Sequence, residues 1–253
     1  MIYFGIPLRS KEASKDWDSV TRVFNRTLQS VYRQTDPNFK IFVACHDIPK
    51  LDKEYNERVQ FLISDQPTPK TKKEMMLDKG WKVSMIAEEL KRLGGGYTML
   101  VDSDDIISNR VAEYVNSHPG ENGFLSSYGY VYNDGFTYMK RILAPHRICG
   151  SCAIVNYSVE DLPERMPRDL WDDSPKDEWI IRKSHRMIPA YLAEHGRKLE
   201  EMPFPTTVYV RNTGDNHSML GGTDLNIKRK IELLLRKKIK LNGKIGFEFG
   251  FWD

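Results

Sequence analysis

Three carboxylates, Asp102, Asp104 and Asp105, follow directly on the apolar run 97–101. An apolar run that stops at clustered acids reads as a buried strand whose carboxyl end opens into a crevice, where open α/β sheets bind ligands. Carboxylates this close repel one another unless a cation lies between them. Hard oxygen donors select magnesium, manganese or calcium over softer metals. The chemistry on offer is divalent-cation binding, with Ser103 in the same turn. The competing reading is an acidic turn that caps the next helix.

Other residues could do chemistry near such a site. Lys79 and Lys82 lie just upstream on a helical pattern and could reach phosphate oxygens, although helical lysines are commonly solvated surface. Cys149 and Cys152 have the spacing of a redox pair or half a zinc site, but Cys45 is the only other thiol. A disulfide scaffold is therefore excluded, and the stretch reads instead as small-residue packing in which Gly150 and Ser151 let backbone approach a ligand. Asp177 and Glu178 follow Ser174 and Pro175, which supply an N-cap and a first-turn proline. Asp177 thus has a capping role open to it before any catalytic one.

The elements that must position these residues alternate. Residues 2–8 read as a strand, and Trp17, Val20, Phe24, Leu28 and Val31 mark one face of a helix. Strands follow at 39–44, 59–63 and 97–101. Before the last of them lies a helix that opens with the capping box Thr71–Glu74, buries Met75, Met76, Met85, Ile86, Leu90 and Leu93, has Gly80 as a candidate break, and ends at Gly94–Gly96. Strands alternating with helices imply a mainly parallel sheet.

Beyond the acids the pattern changes. Ser108 reads as the N-cap of a helix reaching His118. Residues 124–132 and 136–142 form an antiparallel pair around Asn133–Asp134–Gly135. A helix runs from Ser174 to about Lys183, a strand covers 206–211, and a basic amphipathic helix spans about 225–239.

Composition bounds the remainder. A chain of 253 residues with 40% hydrophobic content can bury a sizeable core. Lys and Arg exceed Asp and Glu by only 38 to 35, so no nucleic-acid partner is indicated. The amino terminus lacks a basic leader and no run approaches a membrane span, so the expected location is cytoplasmic. The basic face of the last helix could touch anionic lipid at the inner face of a membrane, or simply dock on the domain.

The order and spacing of these features resemble the family 2 glycosyltransferases of the GT-A fold. The resemblance rests on Gly5–Ile6–Pro7, on residues 28–35 followed by the strand 39–43, on the Asp102–Asp105 run, on Asp177–Glu178 and on His217. Residues 34–49 are also similar to putative rhamnosyltransferases. The resemblance implies an α/β, Rossmann-like fold with a mainly parallel sheet, helices on both faces and a small antiparallel element. Residues 1–225 would be the catalytic domain, with 1–105 the nucleotide-binding half and 106–225 the acceptor half. Residues 226–253 would be a basic helix and tail.

The resemblance also implies a manganese or magnesium cofactor on Asp102 and Asp104, completed by His217 where that histidine is not merely a loop residue. Asp105 would turn toward the sugar. Asp177, or Glu178 in its place, would be the general base, with Asp172 and Asp173 as outside candidates. The nucleobase would lie against Pro7 and Arg9. Members often carry an acidic pair after the second strand, but here the residues are Cys45–His46–Asp47, so the base contact falls to Asp47, moves to Asp65, or is lost. Gly150 and Ser151 would sit beneath the donor sugar, and Trp171 and Trp179 would offer an apolar face or core packing. The implied activity is inverting sugar transfer from a nucleoside-diphosphate sugar to a hydroxyl of a saccharide or lipid-linked acceptor. A metal-dependent nucleotidyltransferase and a non-catalytic carbohydrate-binding protein of the same fold are the alternatives.

Overall fold

A computed structural model describes residues 1–172, 178–211 and 238–251. The front half alternates as the sequence predicts: β1 (Ile2–Pro7), α1 (Trp17–Tyr32), β2 (Phe39–Cys45), β3 (Val59–Ile63), α2 (Lys72–Arg92) and β4 (Gly96–Leu100). Then come β5 (Ile106–Ile107), α3 (Val111–Ser117), β6 (Gly123–Ser126), β7 (Tyr128–Asn133), β8 (Tyr138–Leu143) and β9 (Ala153–Tyr157). The chain continues with α4 (Ile188–Glu194), β10 (Glu200–Met202), β11 (Thr207–Arg211), β12 (Lys238–Lys240) and α5 (Gly243–Phe249).

A seven-stranded sheet runs in the order β10-β6-β9-β4-β1-β2-β3, parallel throughout except for β9, which is antiparallel to both its neighbours. Side-chain alternation along each strand builds its two faces. Ile2, Phe4 and Ile6 join Phe24, Leu28 and Val31 of α1 and Val111 and Val115 of α3 in one core. Tyr3, Phe42 and Ala44 join Val83, Ile86, Ala87 and Leu90 of α2 on the other face. Gly5 keeps α2 close, since a Cβ there would stand 2.9 Å from Ile86 Cγ2. The chain is thus an α/β protein, with helices on both faces of a mainly parallel sheet and a second, smaller sheet. That smaller sheet, β12-β8-β7-β11-β5, is antiparallel except between β7 and β11. Asp134, in the β7–β8 turn, ties it to α1 through Arg26 at 2.8 Å and Arg22 at 3.4 Å.

Several local expectations are corrected. Gly80 does not break α2; it makes room for the Arg182 guanidinium, which a Cβ would overlap at 2.2 Å. Met76 is exposed and Leu77 and Trp81 are buried instead, so the first turns of α2 are phased differently from the expected stripe. Ser108 is not the cap of α3; its hydroxyl instead donates to Glu248 of α5 at 2.7 Å, and Arg110 precedes the helix. The run 124–132 is not one strand, because β6 joins the large sheet and β7 the small one. Residues 180–182 form a 3-10 turn rather than the end of a longer α-helix. Ile239, expected at the end of a helix, lies in β12, while 225–237 fall outside the described residues. Among the described residues no helix is long and apolar enough to cross a membrane.

Candidate functional site

Strand order 3-2-1-4 places a topological switch between β1 and β4: the chain leaves β1 toward β2 on one side, and returns from β3 through α2 to β4 on the other side of β1. A cavity of about 250 Å³ opens there. Pro7, Leu8 and Arg9 line it after β1, Asp102, Ser103 and Asp104 after β4, and Asp78, Lys79 and Lys82 from α2. Val20 and Val23 of α1 form an apolar wall, and Ile148 and Tyr209 reach in from the second half of the chain.

The turn after β4 is held from both sides. Asp105 N–H donates to the Asp102 carbonyl at 3.0 Å, and Thr27 Oγ1 of α1 donates to the Ser103 carbonyl at 3.0 Å. From beyond the turn, Ser151 Oγ accepts the Asp102 N–H at 2.8 Å and donates to Asp105 Oδ2 at 2.6 Å. Cys149 Sγ also donates to that oxygen, at 2.9 Å. Gly150 N–H donates to Asp102 Oδ2 at 3.3 Å, and a Cβ on Gly150 would lie 2.9 Å from the same oxygen. The small-residue stretch is thus a latch around the acids. All three cysteines are free and buried.

The three acids differ in proton affinity. Burial pushes Asp102 up, but the Lys79 ammonium, 2.5 Å from Oδ1, wins and holds it below the usual carboxylate range. Asp104 is pushed up to about 6 by burial and then by the Asp102 charge. Asp105 is raised well above the ordinary range by burial, the Cys149 thiol and the two neighbouring acids. It is fully buried beneath the cavity rather than turned into it, and its Oδ1 has no hydrogen-bond partner among the described residues.

Lys82 belongs to a second polar cluster, whose other members, Asp78 and His46, the sequence did not mark as site residues. Lys82, 1% exposed, pairs with Asp78 at 2.7 Å, and Asp78 Oδ1 stands 3.7 Å from His46 Nδ1, neither atom having a hydrogen bond among the described residues. His46 Nε2 meets the Gln66 carbonyl at 2.9 Å. The helical i,i+4 spacing of Asp78 and Lys82 was the available signal. Burial of Lys82 lowers its pKa against the pull of Asp78. His185 was also missed. Its ring meets the His146 carbonyl, burial lowers its pKa, and it lies in the electrostatic field of Asp102 and Lys79.

The structure brings Pro7, Arg9, Lys79, Lys82, Asp102, Ser103 and Asp104 to one cavity, with Gly150 and Ser151 behind the acids. Asp47 and Asp65 are not among its lining. Asp47 accepts the Lys11 N–H at 2.8 Å, and Asp65 is exposed and accepts from the Gln66 amide at 3.1 Å. Glu178 is exposed, while Asp173, Asp177 and His217 lie outside the described residues. Among the described residues no three His, Cys, Asp or Glu side chains converge as a metal-ligand set.

No family model matches the sequence, and no curated protein is similar to it. A crystal structure of S. aureus TarS aligns over 83% of this chain with 10% identical residues and a TM-score of 0.46. The chain spans 36% of the length of that one.

Proposed function

We propose that this chain is a glycosyltransferase that moves a sugar from a nucleoside-diphosphate donor to a hydroxyl of a saccharide or lipid-linked acceptor, with inversion and with a divalent cation. The supporting observation is the juxtaposition, in one cavity at the β1–β4 switch, of two carboxylates, Asp102 and Asp104, with two cationic side chains, Arg9 and Lys79. The donor set fits a hard cation, since both carboxylates line the cavity and one already holds an ammonium at 2.5 Å. Asp102 and Asp104 would hold manganese or magnesium, which as a Lewis acid would offset the charge developing on the leaving diphosphate.

The chain's own residues supply the rest. Arg9 and Lys79 bind the diphosphate oxygens, and Pro7, Leu8 and the valines of α1 give the nucleoside an apolar wall that excludes water. Gly150 N–H holds the Asp102 carboxylate and Ser151 holds the Asp102 main chain, so that the carboxylate's orientation is set before the donor arrives. The carboxylate of Asp177, or of Glu178, removes the proton from the acceptor hydroxyl. The oxygen then attacks the anomeric carbon from the face opposite the diphosphate.

Calorimetry with uridine, guanosine, adenosine and cytidine diphosphates, with and without Mn2+, tests this reading. Binding of one diphosphate that strengthens with Mn2+ supports it, and binding indifferent to the ion counts against the metal. Asp104→Ala should abolish metal-dependent donor binding, whereas Asp177→Ala should leave binding intact and remove transfer. Release of pyrophosphate from a nucleoside triphosphate, instead of a nucleoside diphosphate from a sugar nucleotide, would identify a nucleotidyltransferase.

A further inference from the structure

Two lysines of α2 reach the same cavity in different states. Lys82 is 1% exposed and locked on Asp78 at 2.7 Å. Lys79, three residues earlier, is 49% exposed, and its ammonium sits on Asp102 Oδ1 at 2.5 Å, with the charges of Asp104 and Asp105 adding to the attraction. The carboxylate in that contact is the fixed partner. Gly150 N–H holds its other oxygen, and Ser151 holds its main chain. The lysine is the movable partner, a compact charge with three donors on a four-carbon stem, anchored to a helix whose capping box fixes its start.

We propose that Lys79 is an exchangeable counter-ion, neutralising Asp102 until a divalent cation takes that carboxylate and then passing to the diphosphate that the cation brings. The inference rests on the transferase reading for its second half only. A dication shared by Asp102 and Asp104 carries twice the charge of the ammonium and repels it. The displaced ammonium stays tethered beside the cavity wall that Arg9 also lines, where diphosphate oxygens accept it. The nucleotide in turn draws Lys79 away from Asp102 and vacates the cation site. Cation and diphosphate therefore favour each other's binding, and the coupling is the same read from either side.

The test compares the full chain with Lys79→Met and Lys79→Arg, with thermal unfolding to show that each folds. Binding of Mn2+ alone is followed by the electron paramagnetic resonance signal of the free ion, and binding of UDP, GDP and ADP by calorimetry with and without Mn2+. Lys79→Met should bind Mn2+ alone about tenfold more tightly than the parent, and the Mn2+-loaded variant should bind the nucleotide about tenfold more weakly. The mutual strengthening of the two ligands should then shrink to the part that direct attraction between cation and diphosphate supplies. Lys79→Arg, which keeps the charge, should bind Mn2+ alone as weakly as the parent.

Mn2+ affinity that is unchanged or lower in Lys79→Met, or Mn2+ binding by neither protein, overturns the proposal. So does nucleotide binding that ignores Mn2+ in the parent but is lost in Lys79→Met, which would make Lys79 a permanent counter-charge. If no nucleoside diphosphate binds while the Mn2+ gain is intact, the counter-ion is supported and the transferase reading is what fails.

Discussion

The buried pair between Asp78 and Lys82 gives a test of how the cavity wall is held together. With the Lys82 side chain 1% and the Asp78 side chain 5% exposed, neither charge has water to fall back on. Lys82→Met would leave the buried Asp78 carboxylate without its ammonium, with Oδ1 making no hydrogen bond among the described residues and His46 Nδ1 3.7 Å away. Breaking one side of such a pair costs about 3–5 kcal/mol. Asp78→Leu strands the ammonium instead, but burial has already lowered the Lys82 pKa, so this lysine sheds its proton more easily than an ordinary one. The loss should therefore be smaller.

The sign of its pH dependence follows from linkage. With the folded pKa of Lys82 depressed, the unfolded chain binds the extra proton between the folded and unfolded values, so stability rises with pH across that window. Asp78→Leu should accordingly regain stability from pH 7 toward pH 10, and Lys82→Met should not. Replacing both residues together removes both charges and leaves apolar side chains of similar volume, so the double variant should return to within about 1 kcal/mol of the parent. Urea unfolding of the four proteins, read by tryptophan fluorescence and repeated at several pH values, measures all of this. A double variant as unstable as the sum of the two singles would refute the reasoning, because an uncompensated buried charge would then not be the cause of either loss.

Three further outcomes are expected. Asp104, raised to about 6, keeps a proton in the folded state that the unfolded chain sheds near pH 4, so its contribution is full below that pH and is lost as pH rises through 6. Asp104→Asn should thus make the ligand-free protein about 1–3 kcal/mol more stable than the parent at pH 7 and no more stable at pH 3.5, by thermal or urea midpoints. Gly95→Ala, with φ at +80° and a Cβ 2.3 Å from the Tyr157 carbonyl, should cost several kcal/mol, whereas Gly94→Ala, at φ +90° with open space, should cost only about 1 kcal/mol; equal unfolding midpoints would contradict this. Gly150→Ala must move the Asp102 carboxylate, since its Cβ would stand 2.9 Å from Oδ2. Mn2+ affinity should fall about tenfold, a change of about 1.4 kcal/mol, with little change in stability.

Much of the front half was readable because parallel strands covered on both faces are near-continuous apolar runs, and each of these was followed by a punctuated connection. The strand at 39–44, which the structure extends by one residue to Cys45, the strand at 59–63, the capping box at Thr71 and the glycines that end α2 all follow from local chemistry. The second half was less legible. β6 and β7 are separated only by Ser127, yet they belong to different sheets, and no periodicity within nine residues can say which sheet a short strand will join. The reversed strand β9 hid behind the Cys149–Cys152 stretch, whose spacing suggested packing but not the hydrogen bonds it makes to Asp105 and Asp102.

The sequence by itself determined that acids would end a buried strand, that helices would flank a mainly parallel sheet, and that lysines would stand upstream on the next face. Those properties are local, written in residue type and in the periods of helix and strand. Tertiary structure alone decided how tightly each carboxylate would hold a proton and which side chain would answer it. Asp102, Asp104 and Asp105 are near neighbours in the chain, but one meets Lys79, one is buried in the fields of Asp102, Lys79 and Arg9, and one is buried against Ser151 and Cys149. A carboxylate's proton affinity is set by the water it loses and the charges it gains, and both are supplied by residues far away in sequence.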